Sequence, residues 1–339
     1  MRTADFNFEL PAGLIAQQPA EPRDSAKLMV LRRASQSIEH RIFSDLPDLL
    51  GRGDLLVVND TRVMAARLFG QRPQTGGRVE ALLVRPLTDT RWEVLFRPSR
   101  QAWPGRSFVF ESSAGPLSAT VLGRDDGVVI LEFERNFDPA SVGTVPLPPY
   151  IKNYAGDPER YQTVYAREPR SAAAPTAGLH FTPRLFEALT EAGVERTALT
   201  LEVGPGTFKP VTAADPRDHP LHEEQVSLPQ AAAEAIARTR EADGRVVAVG
   251  TTVVRTLEHV ARECGGLREY SGGTRLKILP GDPFLATDVI ITNFHLPKST
   301  LLMLICAFAG TEFAMSAYVE AVRERYRFYS FGDAMLILP

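Results

Sequence analysis

The chain has 339 residues, more than one hydrophobic core usually supports, so two domains are expected. Hydrophobic residues make up 44% and charged residues 23% of the sequence, the balance of a globular protein. The net charge of −3 excludes a global basic field, so any contact with nucleic acid has to come from a local patch.

Cysteine usage and hydropathy indicate a cytoplasmic protein that does not enter a membrane. Cys264 and Cys306 have no metal-binding or redox spacing, which is typical of a reducing compartment. The start "MRTADFNFELP" lacks the apolar core of a signal peptide, and the longest apolar run, 301–309, is too short to span a bilayer.

The first predicted elements are a buried strand and a series of shorter strands. "DLLVVN", residues 54–59, is a continuous apolar run typical of a parallel sheet. Between residues 67 and 136, short apolar stretches alternate with turns rich in Gly, Asp and Pro. This spacing predicts an antiparallel barrel or sandwich, which ends before the proline-rich "GTVPLPPYI".

The C-terminal half alternates between helices and strands. "TPRLFEALTEAG" predicts a helix with Thr182 as its N-cap, and Ser227 with Gln230 is the pattern of a capping box at the next helix. The later strands are "RTALTLEVG", "RVVAVG" and "DVIITN", and the later helices are "TTVVRTLEHVAREC" and "STLLMLICAFA". Such alternation predicts helices packed on a mostly parallel sheet.

The strand at 54–59 belongs with this later alternation, so the β unit is predicted to be an insertion. We expect an α/β fold in which a layered α/β/α sandwich domain comprises 1–66 and 149–339. The inserted antiparallel β-barrel domain is expected to comprise 67–148.

Polar residues follow several of the predicted strands. Ligands of open α/β sheets bind beyond the carboxyl ends of the strands, so these residues are predicted to line one shared crevice. The segments are 59–62, 204–208, 250–252 and 292–295, and the loop "AAAPTAGLHF" adds His180. Of six histidines, four fall at such positions: His180, His219, His222 and His295.

Each of these patterns has more than one interpretation. "GTT" at a helix start suits an anion but is also an ordinary turn, and "GPGTF" lacks the Lys-Ser/Thr ending of a phosphate loop. His219, His222 and Glu224 could hold zinc. Pro220 interrupts the helical spacing such a site would use, so an acid–base role is favoured over a metal.

Long colinear motifs from Asp5 to Leu338 resemble one family, the S-adenosylmethionine:tRNA ribosyltransferase-isomerases of queuosine biosynthesis. The motifs are "EPRDSAKLMVL", "GDLLVVNDTRVMAARLFG", "GTVPLPPYI", "APTAGLHFTP", "VGPGTFKPV", "GTTVVR", "ITNFHLPKSTLLML" and "RYRFYSFGDAMLI". Glu202 stands where the family usually has histidine.

The resemblance implies an enzyme that moves and isomerises the ribosyl part of S-adenosylmethionine. The acceptor is 7-aminomethyl-7-deazaguanine in the anticodon region of tRNA, the product is epoxyqueuosine-tRNA, and adenine and methionine leave. It also implies an α/β sandwich with an inserted β-barrel, no metal, and S-adenosylmethionine as co-substrate rather than cofactor. We expect a monomer.

Candidate residues follow from this chemistry and from the strand ends. Proton transfer is assigned to His180, His222 and His295, with Glu224 or Asp60 orienting one of them. Substrate binding is assigned to Asn59, Arg62, Thr176, Gly178, Phe181, Gly204, Gly206, Thr207, Phe208, Thr251, Thr252, Arg255, Asn293 and Phe294. Among these, Thr251, Thr252 and Arg255 at their helix start are expected to hold the methionine carboxylate. The phenylalanines could face the sulfonium by cation–π attraction, although core packing is their favoured interpretation. Phosphate contacts are assigned to Arg67, Arg97, Arg100 and Lys298.

Two other classes of function remain as alternatives. One is a metal-dependent hydrolase that uses His219, His222 and Glu224. The other is a non-catalytic RNA-binding module. A methyltransferase is disfavoured because no glycine-rich dinucleotide loop follows the first buried strand, where "VVNDTRV" stands instead.

Overall fold

The chain divides into two units, each with its own hydrophobic core. The computed structural model describes residues 1–125, 127–152, 154–204 and 211–339. The first unit is Met1–Thr61, Pro149–Glu168 and Ala174–Pro339, and the second is Arg62–Pro148 and Pro169–Ala173. The second unit starts at Arg62 rather than at residue 67 because the strand Arg62–Val63 pairs with Pro169–Ser171.

The strands, in chain order, are β1 (Lys27–Arg32), β2 (Ser37–Ile42), β3 (Asp54–Asn59), β4 (Arg62–Val63), β5 (Arg67–Gln71), β6 (Arg78–Pro86), β7 (Arg91–Arg97), β8 (Ser107–Phe110), β9 (Leu117–Asp125), β10 (Val128–Phe133), β11 (Pro169–Ser171), β12 (Glu195–Leu201), β13 (Glu224–Leu228), β14 (Arg245–Val249), β15 (Tyr270–Thr274), β16 (Val289–Asn293) and β17 (Ala334–Leu338). The helices are α1 (Leu46–Leu49), α2 (Pro139–Val142), α3 (Pro183–Glu191), α4 (Gln230–Glu241), α5 (Thr251–Cys264), α6 (Thr300–Ala309) and α7 (Thr311–Arg323).

A nine-stranded sheet forms the centre of the first unit, in the order β15-β13-β12-β3-β14-β16-β17-β1-β2. Side chains of β3 alternate between its faces, as the period of two requires. Leu55 and Val57 join the cluster under α4 to α7, while Leu56 and Val58 join the cluster under α1 and α3. Both faces are therefore covered, and the predicted α/β/α layering is confirmed.

The prediction of a mostly parallel sheet is wrong. Four pairings are parallel, and four are antiparallel. The central strands β12, β3, β14 and β16 run parallel to one another, because helical crossovers connect them. The antiparallel pairings involve β2, β13, β15 and β17, which the sequence prediction did not include.

Helix starts follow the predicted caps in one case and not in the other. Thr182 Oγ1 accepts a hydrogen bond from the Leu185 amide at 3.2 Å, as the sequence of α3 predicts. The predicted capping box at α4 is wrong, because Ser227 lies inside β13 and Pro229 is the N-cap residue.

The second unit is built around a closed antiparallel barrel in the order β10-β7-β6-β5-β8-β9, which confirms the barrel. Inward side chains such as Val94, Phe108 and Leu131 alternate with outward ones and form one buried cluster.

No single helix among the described residues is long and apolar enough to cross a membrane. Helices α6 and α7 reach that length only together, and the chain bends by 118° between them.

Candidate active site

Two neighbouring strand ends form the floor of a cavity in the first unit. Strands β14 and β16 are parallel neighbours, and the Gly250 amide donates to the Ile291 carbonyl at 2.7 Å. Their ends therefore bring the start of α5 next to Asn293. The cavity encloses about 820 Å³ of space, open solvent at its mouth included. We call it the Asn293 cavity; its lining includes Tyr150, Thr176, Gly250, Thr251, Thr252, Thr292, Asn293, Phe294, His295, Ser299, Tyr329 and Ser330.

The Asn293 side chain is 2% exposed, and its hydrogen bonds fix the orientation of the amide. Nδ2 donates to the Tyr329 carbonyl at 3.0 Å, which an amide oxygen could not do. The same Nδ2 lies 3.2 Å from His180 Nε2, so that nitrogen accepts. Oδ1 is buried and has no partner among the described residues. Asn293, a lining residue of the cavity, thus keeps a buried acceptor that lacks a donor.

His180 supports this arrangement from behind. Its ring is 4% exposed and stacks on Phe43 with ring centroids 4.9 Å apart. Burial lowers the pKa of His180 to about 4, so the imidazole is neutral at pH 7 and can accept from Asn293. His180 does not line the Asn293 cavity, and it acts on that cavity through Asn293.

His295 lines the cavity directly and is neutral as well. Burial lowers its pKa to about 3. Its Nε2 lies 2.8 Å from the Thr292 hydroxyl, which can also donate to the backbone carbonyl of Asn293 at 3.3 Å. In the tautomer that carries its proton on Nε2, the ring donates to this hydroxyl and Nδ1 keeps the lone pair.

Two tyrosines form an aromatic side of the cavity. The rings of Tyr150 and Tyr329 lie with their centroids 4.1 Å apart, and the Tyr150 hydroxyl is 2.6 Å from Ser330 Oγ. Burial raises the pKa of Tyr150 well above its usual value and that of Tyr329 to about 12. Both hydroxyls therefore keep their protons at neutral pH and can donate hydrogen bonds.

A second cavity of about 640 Å³ lies on the other side of Leu301, which lines both cavities. Arg255 donates through Nη1 to Glu224 and through Nε to the Leu276 carbonyl at 3.0 Å, and Glu224 also accepts from the Gly204 amide at 3.1 Å. We call this the Arg255 cavity; His219, His222, Glu224 and Lys277 also line it. The Arg255 charge is thus already neutralised by a buried carboxylate.

Comparisons with known proteins establish the family of the chain. A family model described as Queuosine biosynthesis protein matches residues 3–337. The chain belongs to this family.

Relatives match over their whole length. The S-adenosylmethionine:tRNA ribosyltransferase-isomerase of Symbiobacterium thermophilum is 54% identical and that of Moorella thermoacetica 53%, with 100% of each chain covered. The crystal structure of the S-adenosylmethionine tRNA ribosyltransferase of Thermotoga maritima is similar, with a TM-score of 0.59 and 42% identity. That alignment covers 98% of this chain and 100% of the other.

The residues that were predicted to line one shared crevice line two separate cavities. The predicted residues that line the Asn293 cavity are Thr176, Thr251, Thr252, Asn293, Phe294 and His295. Those that line the Arg255 cavity are Gly204, His222, Glu224 and Arg255. His222 is exposed. Gly206, Thr207 and Phe208 lie outside the described residues.

Asp60 lies in neither cavity. It accepts from Thr200 Oγ1 at 2.7 Å, pairs with Arg167 at 3.5 Å and lines a separate cavity with Tyr165 and Arg196. No described histidine lines that cavity, so the predicted role of Asp60 in orienting a histidine has no contact to support it. Arg62 belongs to the second unit.

Three predicted binding residues have structural contacts instead. All the hydrogen-bonding capacity of the Asn59 amide is used by Leu201, Thr252 and the Thr61 amide. A side chain at Gly178 would meet the Tyr165 hydroxyl at 2.0 Å. Phe181 is fully buried against Phe43 and Phe186, as the core-packing interpretation has it.

The sequence prediction missed Tyr150, Tyr329 and Ser330. Tyr329 has a positive φ of 72°, an uncommon backbone conformation that often marks a functional site. Its only sequence signal was its place inside the family motif "RYRFYSFGDAMLI".

Proposed function

We propose that the chain transfers and isomerises the ribosyl moiety of S-adenosylmethionine onto 7-aminomethyl-7-deazaguanine in tRNA. The products are epoxyqueuosine-tRNA, adenine and methionine. Family membership supports the reaction, and one observation supports its location in the Asn293 cavity. That observation is the unpartnered Asn293 Oδ1 beside the start of α5.

The part of the cavity between Asn293 and the start of α5 suits the methionyl end of the substrate. The first amides of a helix have no acceptor within the helix, so those of Thr251 and Thr252 suit a carboxylate. Asn293 Oδ1, one strand away, suits the ammonium group of the same amino acid. Arg255, the predicted third carboxylate ligand, is not needed in this pose, since it is paired with Glu224 in the other cavity.

The aromatic side of the cavity suits the sulfonium. A cation near a tyrosine face gains up to about 2 kcal/mol when desolvated. Tyr150 and Tyr329 take the role that was predicted for the phenylalanines. Phe294 also lines the cavity, but it is fully buried among Tyr318, Tyr326 and Phe328.

The proton-transfer groups divide into an acceptor and donors. A base removes a proton from the acidic methylene beside the sulfonium, the ribose ring opens and adenine leaves with a proton. Ring opening leaves a vinyl sulfonium, and loss of adenine leaves an aldehyde at C1′. The aminomethyl nitrogen adds to the vinyl carbon C4′ and gives up a proton, and the carbanion formed beside the sulfur attacks the aldehyde to close the carbon ring. The resulting alkoxide displaces methionine and closes the epoxide. His295 Nδ1 is the acceptor in this scheme, and the Tyr150 and Tyr329 hydroxyls are the donors.

The tRNA presents its base unstacked, as enzymes acting on bases require. Of the predicted phosphate ligands, Arg97, Arg100 and Lys298 are exposed. Arg67 is instead paired with Glu80 at 3.1 Å, so it is the weakest of the four candidates.

Labelled S-adenosylmethionine tests the reaction. With label in the ribose, tRNA should become labelled and adenine should appear in equal amount. With label in the methyl group, tRNA should stay unlabelled and free methionine should carry the label. Methyl label on the RNA, or S-adenosylhomocysteine among the products, would overturn the proposal.

The hydrolase alternative has little geometric support. Among the described residues no group of three His, Cys, Asp or Glu side chains is arranged to hold a metal ion, and His219, His222 and Glu224 are no exception.

A further inference from the structure

One end of the barrel collects arginines from several strands. Antiparallel pairing brings the ends of β5, β7 and β9 and the starts of β6, β8 and β10 to the same end. Six arginines lie there, at or next to these strand ends: Arg72, Arg78, Arg97, Arg100, Arg106 and Arg124. We call this the Trp103 end, after the tryptophan in the loop before β8.

The arginines at the two ends differ in their partners. At the opposite end Arg85 pairs with Glu93 at 2.7 Å, and Arg91 pairs with Glu132 at 2.8 Å. None of the six at the Trp103 end has a carboxylate within ion-pair distance in the described part of the chain. Glu80, opposite Arg97 on β6, is paired with Arg67 instead. Unpaired arginines in one place attract polyanions, whereas paired ones are largely neutralised.

Trp103 stands among these arginines with 57% of its surface exposed. The Arg106 guanidinium lies 5.5 Å from the ring centroid and donates to the Gln101 carbonyl at 3.3 Å. The turn is held by two backbone bonds, from the Arg106 amide to the Trp103 carbonyl and from the Gly105 amide to Val121. The ring is thus presented on an ordered turn, which lowers the entropy lost when a partner stacks on it.

We propose that the Trp103 end binds RNA by stacking an unpaired base on Trp103 and holding the adjacent phosphates with Arg97, Arg100 and Arg124. Every base has a π-face, so aromatic stacking combined with arginine contacts binds single-stranded RNA with little sequence preference. A protein partner would need a broader apolar surface than one exposed tryptophan. That the RNA is tRNA rests on the proposed function.

Tryptophan fluorescence of the full-length protein tests the stacking. The chain has two tryptophans, and Trp92 is only 8% exposed, so a bound base reports mainly on Trp103. We expect an unmodified tRNA transcript and single-stranded oligouridylate each to quench the fluorescence. Polyglutamate of a length similar to that of the oligouridylate is a polyanion without bases, and it should quench the Trp103 fluorescence much less.

Matched variants test the contacts. Trp103→Ala should raise the Kd for both RNAs about tenfold or more, while Phe69→Ala, which removes another aromatic of the barrel with 51% exposure, should not. Replacing Arg97 and Arg100 together by Ala should also raise the Kd and flatten its salt dependence. The same change at Arg85 and Arg91 should do neither.

Three results would overturn the inference. These are an unchanged RNA Kd in Trp103→Ala, an equal loss in the Arg85 and Arg91 control, or binding of polyglutamate as tight as that of RNA. Ribose transfer by these variants at saturating tRNA separates the two proposals. If transfer persists without any Trp103 effect on binding, this inference fails and the proposed function stands. If the wild type binds RNA through Trp103 but transfers no ribose, the function fails and the RNA surface stands.

Discussion

Two asparagines at strand ends look alike in the sequence and differ in the folded chain. Asn59 ends β3 and has partners for both amide atoms, whereas Asn293 ends β16 and keeps Oδ1 without one. The difference depends on which residue lies opposite each amide, and strand register decides that. The sequence could therefore mark both positions but could not show which of the two amides keeps an oxygen without a partner.

We expect Asn293→Ala to weaken S-adenosylmethionine binding by at least about tenfold, because a hydrogen bond to a charged group is worth about 1.5–3 kcal/mol. Asn59→Ala is the matched control, since it should lower the Tm with a much smaller effect on that Kd. Calorimetric titration and thermal melting measure both. Equal losses of affinity in the two variants would show that Asn293 acts only through the fold.

His295 should make turnover insensitive to pH over a range where histidines usually titrate. Its pKa is about 3, so its base form is fully populated above about pH 5 and lost only below that. The plot of wild-type rate against pH should therefore have no inflection near pH 6.5 that is caused by His295. The His295→Ala variant should accordingly show the same shape of plot in that pH range. The His295→Ala variant should lose at least about 10²-fold in kcat. The comparison variant is His222→Ala, which changes a residue of the Arg255 cavity instead.

At the scale of elements, periodicity and end signals predicted most of what the structure contains. Helix α5 (Thr251–Cys264) and strand β3 (Asp54–Asn59) have the predicted bounds. Strands β1, β2, β13, β15 and β17 went unpredicted. The half-exposed β2 and β15 lack a continuous apolar run, but β1 and β17 have one and were missed all the same. Tyr150 and Tyr329 went unnoticed because they are 179 residues apart and come from loops, where no periodicity links them.

The start of α3 ties a helix cap to a buried charge. Thr182 Oγ1 accepts from the Leu185 amide and donates to Asp24 Oδ2 at 2.7 Å, and Asp24 is 1% exposed. Thr182→Ala should therefore lower the free energy of unfolding by about 1–3 kcal/mol, more than an ordinary cap. Thr182→Ser keeps both bonds and should restore most of it. Denaturant titration measures these values, and a loss below about 0.5 kcal/mol would contradict the coupling.

At the scale of the whole molecule, net charge is a poor guide to what the surface does. The value of −3 correctly excluded a global basic field, yet it also concealed six arginines gathered at one end of the barrel. Those arginines are spread over 53 positions of sequence, from Arg72 to Arg124, so no run of basic residues announces them. Only the closed barrel brings these arginines together. The sequence predicted a barrel but not the strand register, and the register decides at which end of the barrel each arginine lies.

The separate cores lead to a prediction about cooperativity. Leu131 of β10 is in the barrel core and Leu199 of β12 is in the core of the sheet, and both are fully buried. Replacing either by Ala removes similar contacts and should cost about 2–5 kcal/mol within its own core. Opening free energies are set locally, so Leu131→Ala should speed amide exchange in β7 and leave β3 nearly unchanged, and Leu199→Ala should do the reverse. Hydrogen exchange followed by mass spectrometry resolves the two regions. Equal acceleration of β3 and β7 in both variants would mean that the two units unfold as one.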